Sequence, residues 1–238
     1  MPRILCISDL HCGAPNTPIV PMVEDLPRAD LVVVAGDLTM RGLRAEAEAW
    51  AAWALAALRV TRAEAIAWIP GNHDCFDAAT TRLLERVSER VIRLPEARPC
   101  TVQGLRVWAS SLSCWQPEPA TPRPGRVETW HGWALADERQ RVFAGMPADL
   151  DLLVTHPPPA GVRARVVEGF DVGDPVLAAA LAQLGPRAPR AHVFGHVHED
   201  AGQAVAPWGP GEGTRSINAA YMSRRYTREV GGYSTIVL

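Results

Sequence analysis

The sequence contains no lysine, and all 24 of its basic residues are arginine. They are set against 26 acidic residues, so the net charge is −2. The broad basic footprint with which proteins grip a nucleic-acid backbone is therefore missing, and a nucleic-acid polymer is not the expected partner. Cysteine is scarce as well. Cys6, Cys12, Cys75, Cys100 and Cys114 are an odd five without C-x-x-C spacing, which excludes a fully paired disulfide framework and a structural zinc knot. That usage points to a reducing compartment, and the expected location is cytoplasmic. No apolar run approaches the length of a membrane span, and the opening run Arg3 to Ser8 breaks too early for a secretory core, so no membrane partner is expected.

What is present is ordinary globular material: 238 residues, 47% hydrophobic and 21% charged, read as one domain over residues 1–238. Five short apolar runs each end abruptly in polar, metal-ligating chemistry. Arg3 to Ser8 leads to Asp9-Leu10-His11, and Leu31 to Ala35 to Gly36-Asp37. Ala65 to Ile69 leads to Gly71-Asn72-His73-Asp74, Leu152 to Thr155 to His156, and Ala191 to Phe194 to Gly195-His196-Val197-His198. Runs of this kind read as buried strands delivering ligands at their carboxyl ends.

Between them lie helical patterns. Leu43 to Leu58 places Ala47, Trp50, Ala54 and Leu58 on one face, Phe76 to Val87 forms a second helix, and Asp174-Pro175 opens a third with Leu177, Ala180, Leu181 and Leu184 inward. After Val91 the texture becomes β-like, with Val91 to Leu94, Thr101 to Val102 and Leu105 to Ala109 read as the start of a second sheet. Gln203 to Ala206, Thr214 to Ile217 and Tyr233 to Val237 read as terminal hairpins. Cys114 to Trp133, with four prolines and three tryptophans, reads as a long surface loop.

Five of the seven histidines fall at strand ends. Asp9, His11, Asp37, Asn72, His156, His196 and His198 are too many ligands for one tetrahedral ion but suit two ions sharing a carboxylate, with Asp37 as the natural bridge. Mixed imidazole and carboxylate donors favour manganese, iron or zinc over magnesium or calcium. Two such cations would neutralise a phosphate ester and lower the pKa of a bound water, making a bridging hydroxide the expected nucleophile. His73 is the candidate proton donor, with Asp74 expected to orient its ring. Arg41 is a candidate clamp for a phosphate oxygen. His131, His192 and the cluster Arg224, Arg225 and Arg228 are read as structural or solvated, and Trp115, Trp130 and Trp133 as loop anchors.

These motifs, in this order, resemble the calcineurin-like metallophosphoesterase superfamily, whose signature runs D-x-H, G-D, G-N-H-D/E, a single His and G-H-x-H. The resemblance implies a four-layer α-β-β-α sandwich of two mixed sheets flanked by helices. It also implies one metal on Asp9, His11, Asp37 and His198, a second on Asp37, Asn72, His156 and His196, and His73 as proton donor. Gly36-Asp37-Leu38-Thr39, Thr155-His156-Pro157-Pro158, the stretch His192 to Glu199 and Ile217-Asn218-Ala219 are closest to the metallophosphoesterase-domain-containing branch. That likeness implies a small phosphodiester substrate, with cyclic nucleotides as candidates. Met40 stands where protein phosphatases carry a second aspartate, which weakens that alternative. A nuclease, a phosphomonoesterase and a metal-free interaction scaffold are the other readings.

Overall fold

The computed structural model describes residues 1–14, 23–114, 131–227 and 233–238. The first sheet contains β1 (Arg3–Ile7), β2 (Leu31–Ala35), β3 (Ala65–Ile69) and β4 (Val91–Arg93), all parallel, with β11 (Ser234–Val237) antiparallel on the outer side of β1. The second sheet has the order β5 (Cys100–Val102), β6 (Leu105–Ser110), β7 (Leu152–Thr155), β8 (Ala191–Phe194), β10 (Thr214–Asn218) and β9 (Gly202–Ala206). Its central strands β6, β7, β8 and β10 are parallel and both edge pairings are antiparallel. Both sheets are mixed, as the resemblance implies.

The period of two along each strand decides the layers. In β1, Ile4 and Cys6 face the second sheet, joining Leu31, Val33, Ala67 and Ile69 against Val107, Leu152, Val154, Val193 and Ile217. The alternate residues Leu5 and Ile7, with Val32, Val34, Ile66 and Trp68, pack under α1 (Arg44–Thr61) through Trp50, Trp53, Ala54, Ala57 and Leu58. The outer face of the second sheet, Trp108, Leu153 and Phe194, lies under α3 (Ala136–Ala144) and α4 (Pro175–Leu184) through Phe143, Leu177 and Leu181. A short helix, α2 (Ala78–Leu84), follows β3, capped by the Asp77 carboxylate, which accepts from Thr80 N. Among the described residues no helix is long and apolar enough to cross a membrane, and none of the five cysteines is in a disulfide.

Three expectations change. β4 extends the first sheet by pairing with β3, so the second sheet begins at Cys100. β9 and β10 do form an antiparallel hairpin, but β11 crosses to the first sheet and pairs with β1. The segment Ala136–Ala144 is a helix that hydrophobic periodicity does not announce. Asp137 to Arg141 is an unbroken polar run, and the helix is held by Arg139, fully buried in an ion pair with Asp174 at 2.9 Å. Trp115, Trp130 and Arg228 lie outside the described residues.

Candidate metal centre

β1, β2, β3, β7 and β8 run so that their carboxyl ends meet along one edge of the sandwich, the place where open α/β sheets collect ligands. Backbone strain marks the convergence. Of the ten non-glycine residues with positive φ among the described residues, Asp9, His11, Asp37 and His196 are four of the seven sequence-assigned ligands. Such conformations persist only where surrounding bonds over-determine them. Asp9 N donates to Gly36 O at 3.0 Å, His11 N to Asp37 O at 3.0 Å, and His196 N to the Asp9 carboxylate at 2.9 Å. Gly36 has no room for a side chain, since a Cβ would overlap the His156 ring.

The side chains gather in two groups that share Asp37. In the first, His11 Nε2 and His198 Nε2 face each other at 3.2 Å, with Asp9 Oδ1 3.3 Å from His198 Nε2 and Asp37 Oδ2 3.6 Å from His11 Nε2. In the second, Asp37 Oδ2 is 3.4 Å from His156 Nε2, while Asn72 Oδ1 lies 2.9 Å from both His156 Nε2 and His196 Nδ1. Ligand atoms within 4.8 Å of one another define three overlapping sets, Asp9 with His11 and His198, His11 with Asp37 and His73, and Asp9 with Asp37 and His156. All seven residues assigned from sequence therefore meet, and all but His196 and His198 are essentially buried.

Donor chemistry supports cations here. His156 Nδ1 contacts Ala35 O at 2.9 Å and His198 Nδ1 contacts Ser223 O at 3.0 Å. A carbonyl can only accept, so Nδ1 carries the proton and a neutral ring turns its Nε2 lone pair toward a carboxylate. Two electron-rich atoms held that close require a positive charge between or upon them. Burial alone lowers the His156 pKa, but the charge and hydrogen bond of Asp37, aided by Asp9, lift it to about 9. Burial likewise opposes protonation of His198, and Asp9 overrides it, again to about 9. Burial would raise both carboxylates, yet His198 holds Asp9 at about 2 and His156 holds Asp37 well below the usual carboxylate range. For His11 and His196 burial prevails and their pKa falls to about 4. The residues fit a dinuclear metal centre.

His73 borders this cluster with its backbone N donating to Asp37 Oδ1 at 2.9 Å and its ring Nδ1 donating to Met40 O at 2.8 Å. Met40 thus orients the ring, in place of Asp74. The Asp74 carboxylate is fully used elsewhere, accepting from Gly71 N at 2.8 Å, Leu38 N at 3.0 Å, Thr39 N at 2.9 Å and Thr39 Oγ1 at 2.7 Å. It clamps the loop after β2 to the loop after β3, and so sets Asp37 against Asn72 rather than steering His73. Arg41, the candidate phosphate clamp, is engaged by Glu46. Its exposed guanidinium pairs with Glu46 at 3.1 Å, and Glu46 also accepts from the backbone N of Arg41 and Leu43 at the start of α1.

Several neighbours carry no signal in the sequence. The carbonyls of Ala35, Met40 and Ser223 orient three histidines, and a main-chain acceptor leaves no residue signature. His131 is half-buried beside the ligand loop, with its N donating to Asn72 O at 3.1 Å and Nε2 3.3 Å from Ser111 Oγ. Tyr226 stands edge-on to His11 and His198 at 4.9 and 5.5 Å. Asn218, noted only within a motif, donates from Nδ2 to Val197 O at 2.8 Å and so braces the turn that carries His196 and His198. His192 is fully buried, with Nε2 2.8 Å from Thr155 Oγ1.

A sequence model described as calcineurin-like phosphoesterase matches residues 2–200. The chain is 31% identical over 216 residues to a protein named probable rhamnogalacturonate lyase C from Emericella nidulans, covering 87% of this chain and 18% of that protein. It is 28% identical over 212 residues to metallophosphoesterase domain-containing protein 1 of Homo sapiens, covering 84% of this chain and 61% of the relative. A UPF0046 protein from Caenorhabditis elegans is 26% identical over 214 residues, covering 76% of this chain and 48% of the relative. The chain thus spans less than two thirds of the length of each of these relatives.

Proposed function

The chain belongs to the calcineurin-like phosphoesterase family, and from that premise we propose that it hydrolyses a small phosphodiester, with cyclic nucleotides among the candidate substrates. The observation that carries the reading is the place of Asp37 Oδ2, 3.6 Å from His11 Nε2 and 3.4 Å from His156 Nε2, where one carboxylate serves both ligand groups. Two bound transition-metal ions, manganese, iron or zinc, would neutralise the phosphoryl oxygens and lower the pKa of a water. Asp9, His11, Asp37 and His198 would hold one, and Asp37, Asn72, His156 and His196 the other.

The protein's own contribution is placement. Burial of Asp9, His11, Asp37 and His156 keeps bulk water from screening their charges. Met40 O fixes the proton on His73 Nδ1, which leaves Nε2 as the atom that passes a proton to the departing oxygen when the ring is protonated.

A panel of mono- and diesters, including 2′,3′- and 3′,5′-cyclic nucleotides, assayed with manganese, iron and zinc separately, tests the reading. Diesters are expected to turn over faster. Preferential hydrolysis of monoesters would overturn the choice of substrate class.

A further inference from the structure

The turn Ser223 to Thr227 lies against the centre, touching His198 and His11. Ser223 O accepts from His198 Nδ1, and Ser223 N donates to Thr227 O at 2.8 Å. Ser223 Oγ and Thr227 Oγ1 are 2.7 Å apart. Arg224 ties the turn to the stretch beside the ligands, 2.8 Å from Glu168 and 3.6 Å from Glu199. At its apex Tyr226 has φ 55°, the same left-handed region occupied by Asp9, His11, Asp37 and His196. For a bulky aromatic residue that conformation is an outlier, and strain of this kind gathers at ligand-handling sites.

The strain places the ring nearly perpendicular to the rings of His11 and His198, at 89° and 78°. Tyr226 is only half-buried, and its hydroxyl has no hydrogen bond among the described residues. Packing against the ligand rings accounts for the ring, and a phenylalanine would serve that purpose equally. The hydroxyl is left for a partner outside the described residues.

We propose that Tyr226 is a substrate-contacting residue whose hydroxyl donates a hydrogen bond to an oxygen of the bound phosphoryl group. The inference rests on the phosphoesterase reading above. A phenol is suited to this place because it donates to an anion without adding a further cation beside a centre that would already hold two, and such donors act where charge develops on phosphoryl oxygens.

The test compares wild-type protein with Tyr226→Phe and Tyr226→Leu, each loaded with manganese. Metal content is measured by elemental analysis and affinity for inorganic phosphate by calorimetry. Tyr226→Phe is expected to keep the wild-type metal content and to bind phosphate about ten- to a hundredfold more weakly, as for loss of a hydrogen bond to a charged partner. Its KM for a hydrolysed diester should rise in parallel. Wild-type phosphate affinity in Tyr226→Phe would overturn the proposal, whether or not Tyr226→Leu loses metal. Phosphate binding is scored without turnover, so a wild-type protein that binds phosphate and hydrolyses no ester would sink the phosphoesterase reading alone.

Discussion

Among single residues, holding metal and moving a proton fall to different side chains. His73 reaches the cluster through its backbone bond to Asp37 and its ring bond to Met40 O. His73→Ala is therefore expected to lower kcat by about 10²- to 10⁴-fold, the range for a lost general acid, while metal content stays near wild type. Asp37 serves both groups, so Asp37→Ala should lose activity and metal together. Elemental analysis beside steady-state kinetics checks both, and equal metal loss in the two variants would contradict the division. The candidate ligands were legible in the sequence, because Asp9, His11, Asn72, His196 and His198 sit in short motifs that follow apolar runs. Their orienting partners were not. Carbonyls of Ala35, Met40 and Ser223 can be supplied by any residue type, and Tyr226 lies 28 residues beyond His198 with no spacing that announces it.

At the scale of elements, Asp74 joins two of them. Its carboxylate accepts from Gly71 N, Leu38 N, Thr39 N and Thr39 Oγ1, all buried. Asp74→Ala would leave these donors without their acceptor, and since each orphaned buried group costs about 1–3 kcal/mol, a loss of at least about 3 kcal/mol is expected in urea unfolding. A loss below about 1 kcal/mol would show that the two loops stand without the clamp. Gly195 makes the complementary case. A Cβ there would overlap the Asp9 carboxylate and the Ser8 side chain, so Gly195→Ala should fold with β1 and β8 intact yet bind metal poorly, as circular dichroism with metal titration would show. The core strands were legible because each is a closed apolar run, and β2, β3, β7 and β8 have the boundaries expected. α3 was not, because its burial rests on Arg139 and Phe143 within a polar stretch, and an arginine buried by an ion pair looks in sequence like a solvated one.

At the scale of the whole molecule, alternation along a strand says which residues are buried but not which sheet receives them. Alternation therefore leaves the sheet to which β4 and β11 belong undecided, while the layered architecture is what the family resemblance implies. The buried histidines give the assembled protein a distinctive pH response once stripped of metal. Unfolded histidine titrates near pH 6.5. His156 and His198, raised to about 9, contribute stability that is fully present below pH 6.5 and lost as pH rises through 9. His11 and His196, depressed to about 4, and His192, depressed to about 3 by burial, contribute stability present above pH 6.5 and lost as pH falls. The thermal midpoint of chelator-treated protein should therefore peak near pH 6.5. Metal loading should flatten the alkaline limb, since the Nε2 atoms then have no proton to lose. A midpoint of the stripped protein that climbs steadily from pH 6.5 to 9 would contradict these assignments. The claim on which all of this depends is that two separate ligand groups share Asp37, and the most direct measurement is the metal stoichiometry of the purified protein titrated with manganese or zinc. Two equivalents bound by the wild type, with both sites weakened in Asp37→Ala, is the predicted result. A single equivalent, or two that Asp37→Ala leaves untouched, would contradict it.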